Sequence, residues 1–222
     1  MKRLLYVTAN SKPEHLSASK TVGRALVEAL DEAVDDLKIE ELDLYDGCVP
    51  RLKYEYFASR NCIADKSCQK NLSKDEQKEV AHITKLCDQF IAADYVIFAA
   101  PMWSLSFPAP MKEYLDCIIQ VDKTISFSEK MPHGLLDDKP RTVFYVQSSG
   151  ASINLFNSML LNKGLHYFKD MMHFIGIKTF KELLVDGTGY TEGEKQFAIE
   201  SALKKIPDLI KPYQKETKKD GI

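Results

Sequence analysis

Three short stretches of this 222-residue chain carry the side chains that could do chemistry. The first is NSKPEHLSAS, residues 10–19, rich in hydroxyl and amide groups and running straight into a helical pattern. Ser17 and Ser19 stand where hydroxyls and free backbone N–H groups gather at a helix N-terminus, a place that favours an anion. A serine there also serves as an ordinary helix cap, and spacing alone leaves both uses open. Neither GxGxxG nor GxxxxGK[ST] occurs, so no Rossmann or Walker phosphate loop accounts for the segment.

The second stretch is PMWSLSFP, residues 101–108. Pro101 and Pro108 fix their own φ angles and donate no backbone hydrogen bond, which narrows the freedom of the loop between them. Met102, Trp103, Ser104 and Leu105 then form a stiff shelf suited to a flat ring, with apolar side chains for its face and main-chain groups for its edge. The third stretch is QSSGAS, residues 147–152, whose small hydroxylated residues let backbone come close to a ligand. Gly150 also permits a tight turn. Nothing resembles a nucleophile with its base. His15, His82, His133, His166 and His173 are scattered without metal-ligand spacing, so no metal site is expected. Cys117 falls on the buried face of a helical pattern and reads as packing.

The elements that must position these loops alternate in type. LLYVTA (4–9), IEELDL (39–44), YVIFAA (95–100), TVFYVQ (142–147) and residues 177–185 read as strands. Between them, residues 17–33 put Val22, Ala25, Leu26, Ala29 and Leu30 on one helical face. Ser73 with Glu76, and Thr191 with Glu194, have the spacing of capping boxes for helices over 74–92 and near the C-terminus. Pro110 opens a helix that buries Met111, Tyr114, Leu115, Ile118 and Ile119. Another helix lies within 155–175. Five strands alternating with helices predict an α/β fold, a doubly wound parallel sheet covered on both faces. In such sheets ligands bind outside the carboxyl ends of the strands, at the switch in strand order, which is where the three loops fall. Residues 1–212 read as one domain. Residues 45–73 are long for a connection and suit a cover or interface element. The lysine-rich 213–222 reads as a solvated tail.

Composition excludes several classes. The chain is 45% hydrophobic and 28% charged with a net charge of −2, which fits a buried core and lacks the basic footprint of a nucleic-acid binder. No run approaches the roughly 18 apolar residues of a membrane span, and the apolar stretch after Met1 is too short for a signal peptide. Five cysteines, an odd number without CxxC spacing, predict reduced thiols and a cytoplasmic protein.

Taken together, PMWSLSFPAPMKEYLD, TANSKPEHLSAS, QSSGAS and SFSEKMPHGLL (126–136) resemble the FMN-dependent NADH azoreductases, also called NADH:quinone reductases, over residues 1 to about 187. The resemblance implies a flavodoxin-like fold with strand order 2-1-3-4-5, bound FMN, and a homodimer. It places Asn10, Ser17, Ala18 and Ser19 at the FMN phosphate. Pro101, Met102, Trp103, Ser104 and Leu105 would meet the isoalloxazine ring, and Ser148, Ser149, Gly150 and Ala151 its pyrimidine side. Trp103 and Phe127 would wall the substrate. It further implies hydride transfer from NADH or NADPH and two-electron reduction of quinones and azo compounds, in ping-pong order because donor and acceptor share one face. Ser149 stands where many members have arginine and Ala151 where they have a second glycine, departures that bear on donor preference and substrate choice. A flavodoxin-type electron carrier, an acyl-carrier-protein phosphodiesterase and a cofactor-free interaction module are the competing readings. The near-neutral charge and the extra 45–73 segment favour an enzyme over a carrier, and the phosphodiesterase lacks its metal cluster or activated nucleophile.

Overall fold

The computed structural model describes residues 1–47, 49–59, 62–63, 68–127, 131–152 and 160–214. The apolar run at the start forms β1 (Lys2–Thr8), and the first amphipathic segment forms α1 (Ala18–Ala33). β2 (Leu37–Asp43) follows, then a small antiparallel pair, β3 (Phe57–Ser59) and β4 (Cys62–Ile63). α2 (Lys74–Ala92) leads to β5 (Tyr95–Pro101) and α3 (Ala109–Ile118). A second small pair, β6 (Ile125–Ser126) and β7 (His133–Gly134), precedes β8 (Thr142–Ser149). α4 (Lys163–Phe174), β9 (Thr179–Asp186), α5 (Glu192–Leu203) and the short α6 (Ile206–Ile210) complete the chain.

The five long strands form one parallel sheet in the order β2-β1-β5-β8-β9, which is the expected 2-1-3-4-5. Alternation along each strand divides the core in two. Leu5, Val7, Val96, Phe98, Val143 and Tyr145 pack with α2, α3 and α4, while Leu4, Tyr6, Ile97, Phe144 and Val146 pack with α1, α5 and α6. β8 is buried at all eight positions, as a central parallel strand covered on both faces must be. Both expected capping boxes form, Ser73 with Glu76 and Thr191 with Glu194. The order of strands reverses between β1 and β5, so their carboxyl ends open the crevice.

The long connection is a pinned strap over α2 and α3. Leu44, Val49 and Tyr56 are buried in the core, and a turn of 3-10 helix spans Tyr54–Tyr56. The Cys117 thiol donates to the Pro50 carbonyl over 3.3 Å, and the Tyr56 hydroxyl donates to Glu79.

One expectation needs correction at its boundary. Tyr213 does not belong to a solvated tail: its ring meets Tyr95 edge-on at 5.4 Å and Phe144 at 5.9 Å, an aromatic closure that outweighs the polarity of its neighbours. Residues 215–222 lie outside the described residues, as do 153–159 of the segment expected to contain a helix, which is helical over Lys163–Phe174.

Candidate functional site

A cavity of about 310 Å³ lies outside the carboxyl ends of β1, β5 and β8. Its first wall is the loop after β1. Ser17 is the N-cap of α1, and its Oγ accepts from the Lys20 N–H at 3.3 Å and from the Asn10 amide Nδ2 at 2.8 Å. Asn10 is itself held by its Oδ1, which accepts from the Lys12 N–H at 3.0 Å. With both lone pairs occupied, the Ser17 hydroxyl has only its hydrogen left to give, to Ser19 Oγ at 3.3 Å or, in place of that long contact, to a ligand in the cavity. The helix cap is therefore also a cavity-lining residue. The first-turn N–H groups of Ala18 and Ser19 have no intrahelical partner and stand beside it. Lys12 also lines the cavity, is exposed, and forms no ion pair among the described residues. The neighbouring Lys20 is neutralised by Asp43 at 2.7 Å.

The second wall is the loop after β5, and its stiffness has a specific form. The Trp103 N–H donates to Ser106 O, and the Ser106 N–H to Trp103 O, both at 2.9 Å. The residues between them, Ser104 and Leu105, have φ of 50° and 60°. This is a two-residue hairpin turn of the I′ kind, built without the usual glycine or asparagine. Left-handed backbone in such residues costs about 1–2 kcal/mol each, so the surroundings must impose it. Met102 N–H donates to Ser148 O at 2.7 Å on one side. On the other side the Gly164 N–H donates to Leu105 O at 3.0 Å, and Gly164 lies so close that a Cβ there would stand 2.5 Å from Ser106 Cα. Phe107, buried against Phe168 at 5.9 Å, roots the turn in the core. Trp103 stays 46% exposed, edge-on to Tyr45 of the strap at 6.5 Å.

The third wall is double. The loop after β8 is stitched to the loop after β9: Thr188 N–H donates to Ser149 O at 3.0 Å and Gly189 N–H to Gly150 O at 3.1 Å. Gly187 and Gly189, with φ of 75° and 52°, supply the left-handed turns that this return requires. Thr191, Glu192 and Lys195 at the start of α5 then face the same cavity, with Lys195 paired to Glu192 at 2.9 Å.

Of the residues singled out in the sequence, Asn10, Ser17, Ala18, Pro101, Met102, Trp103, Ser148, Ser149 and Gly150 line this cavity. Ser19, Ser104, Leu105, Ala151 and Phe127 do not. The Ser19 side chain is fully buried, with its Oγ 3.3 Å from that of Ser17. Ser104 and Leu105 form the exposed tip of the hairpin, Ala151 is exposed beyond Gly150, and Phe127 is 44% exposed just past β6. Gly150 makes no left-handed turn, but a Cβ there would meet nothing within 4 Å, so its small size leaves open space. Lys12, Gly164 and the 188–195 wall were not foreseen. The Thr191–Glu194 capping box was the one available signal for the last of these, since a helix N-terminus following a strand of such a sheet faces the ligand side.

A larger hollow of about 780 Å³ lies between the strap and the starts of α2 and α3. None of the three loops lines it, and four of its charged groups are already paired with one another, Arg51 with Glu113 at 2.6 Å and Lys53 with Glu79 at 3.1 Å. Size alone does not make it the site. The buried thiols are equally unsuited to chemistry: burial pushes Cys87 and Cys117 up to about 12.

Comparison with known proteins agrees with this architecture. The family described as flavodoxin-like fold (Flavodoxin_2) matches residues 2–209. The chain is 54% identical over 211 residues to an FMN-dependent NADH:quinone oxidoreductase of Clostridium botulinum, covering 95% of this chain and 98% of that one. It is 55% identical over 210 residues to a protein of the same name from Ruminiclostridium cellulolyticum, covering 95% and 99%. Among solved structures, an FMN-dependent NADH-azoreductase from Bacillus anthracis in complex with FMN superimposes with a TM-score of 0.80 at 24% identity, covering 94% of this chain and 99% of that one. With a matching sheet order, a family match over nearly the whole chain and relatives of this identity, the chain belongs to the flavodoxin-like fold family and, within it, to the family of the FMN-dependent NADH:quinone oxidoreductases.

Proposed function

We propose that the protein is an FMN-dependent oxidoreductase that takes a hydride from NADH or NADPH and reduces quinones and aromatic azo compounds. The observation that carries this reading is the pairing, in one cavity, of the α1 N-terminus with its donor-ready Ser17 and the half-exposed Trp103 on a locked hairpin. The residues fit FMN on the structure's own terms. The Ser17 hydroxyl, the N–H groups of Ala18 and Ser19, and the Lys12 ammonium make a phosphate end. Pro101, Met102 and Trp103 make a flat, largely apolar side, and the open space beside Gly150 admits an edge of the ring next to Ser148 and Ser149.

FMN when bound supplies the hydride and two-electron chemistry, and the protein supplies binding, orientation and electrostatics. Asn10 fixes the Ser17 oxygen by donating to it, so that hydroxyl is aimed before any ligand arrives. The hairpin holds Trp103 without needing to order it on binding, which lowers the entropic cost of stacking. Phe127 is proposed as a second aromatic wall for the substrate. One open face for donor and acceptor calls for ping-pong order. A homodimer in the cytoplasm is the assembly and location proposed. Among the described residues no helix is long and apolar enough to cross a membrane.

The test is an absorbance spectrum of the purified protein before and after anaerobic NADH. Flavin absorbance that NADH bleaches and a quinone restores supports the proposal, and parallel double-reciprocal plots support ping-pong order. Absence of flavin even after reconstitution overturns it. Flavin that NADH cannot bleach favours an electron carrier instead.

A further inference from the structure

Ser149 occupies an unusual position for a single hydroxyl. Its Oγ lies 2.7 Å from the Ala151 carbonyl oxygen and 2.7 Å from Oδ1 of Asp186, the last residue of β9. A hydroxyl has one hydrogen, and a carbonyl oxygen can only accept. If Ser149 donates to Ala151, the contact with Asp186 is a hydrogen bond only when Asp186 carries a proton and donates it. The chain Asp186 to Ser149 to Ala151 then ties down the loop that forms one wall of the cavity. If Asp186 ionises, its proton goes to solvent, Ser149 turns its hydrogen to the carboxylate, and the Ala151 carbonyl keeps only the long 3.3 Å bond from Gly187 N–H.

We propose that Asp186 is a positioning residue whose protonated form braces the 149–151 wall through Ser149 and whose ionisation loosens that wall and weakens cofactor binding. This rests on the FMN reading above. Burial is the main influence on the Asp186 carboxyl and pushes it above the ordinary carboxylate range, against the opposing pull of the Ser149 hydroxyl and of Lys205 just after α5. From β8 the group facing it is Ser149, which does not titrate; Lys205 is the charged side chain bearing on it. A neutral Asp186 also keeps negative charge away from a cavity proposed to hold a phosphate and an electron-rich ring.

The experiment is flavin-fluorescence titration of the cofactor-stripped protein with FMN from pH 5 to pH 8, in wild type, D186N, D186A and S149A. Asparagine can still donate to Ser149 and does not ionise. Wild-type Kd is expected to rise with pH relative to D186N, by a factor of about ten for each pKa unit by which FMN raises Asp186. The phosphate of FMN titrates too, but equally in every variant. D186A and S149A should bind several-fold more weakly than D186N at pH 5. Parallel wild-type and D186N profiles, or a D186A that binds as tightly as D186N, would overturn the proposal.

A second measurement needs no flavin. A carboxyl whose folded pKa is raised contributes stability that is present at low pH and lost as pH climbs from the unfolded to the folded pKa. Urea stability of cofactor-free wild type should therefore fall relative to D186N over that window and then level off. A difference that stays constant with pH sinks the proposal. Absence of FMN binding in every variant with the stability difference intact would instead sink the FMN reading alone.

Discussion

Gly164 and Ser106 meet backbone to backbone: a methyl group on Gly164 would stand 2.5 Å from Ser106 Cα. The start of α4 thus presses directly on the hairpin that presents Trp103. Gly164→Ala is expected to push the hairpin outward, costing about 1–3 kcal/mol of stability as overpacking does and weakening FMN binding. Urea unfolding and flavin titration of the same variant check both halves. An unchanged flavin affinity would mean that Trp103 does not depend on this contact.

Ser17→Ala removes a cap and a donor at once. The cap loss should cost about 1 kcal/mol, and loss of a hydrogen bond to a charged phosphate about 1.5–3 kcal/mol more in FMN affinity. Ser19→Ala, whose hydroxyl is buried behind Ser17, should spare most of that affinity. Isothermal titration with FMN separates the two serines.

Trp103→Ala should leave the fold intact, since the ring is 46% exposed and its one ring partner among the described residues is Tyr45. Stability should change by no more than about 0.5 kcal/mol, while flavin affinity or turnover falls. Unfolding with flavin affinity preserved would make Trp103 a packing residue.

Leu105→Gly runs in the opposite direction. With φ at 60° and a side chain 44% exposed, Leu105 carries left-handed strain that glycine relieves. The variant should be more stable by roughly 0.5–1 kcal/mol in chemical denaturation. A loss of stability would show that the leucine side chain has a partner worth more than the strain.

Cys87 and Cys117 should resist alkylation in the native state at pH 8, because burial pushes both thiols up to about 12 and both donate to backbone carbonyls, of Ile118 and Pro50. Half-buried Cys62 should react before either of them. Peptide mass spectrometry after iodoacetamide, with and without urea, gives the order.

Much of the fold was legible in the sequence because its signals are local. Both capping boxes, the strand runs of β5 and β8, and the face of α3 carrying Met111, Tyr114, Leu115 and Ile118 are set by residues a few positions apart. The prolines around Trp103 likewise marked a stiff loop. The candidate site was legible in part. Asn10, Met102, Trp103 and Ser148 sit at or just past strand ends, and Ser17 at the start of the helix that follows β1, where a parallel sheet directs its ligands.

What the sequence by itself determined, then, is which segments are strands and helices, and which three loops end at the crevice. Hydrophobic period and cap chemistry depend only on near neighbours. What the tertiary structure alone decided is how the walls close. Ser104 and Leu105 turn left-handed without glycine because Gly164 and Ser148, remote in sequence, hydrogen-bond the hairpin from either side. The same holds for Ser149, whose partner Asp186 is 37 residues away and reaches it only through β8–β9 register. Contacts of that kind leave no periodic trace, because the free energy that sets them comes from packing between elements and not from the order of residues within one.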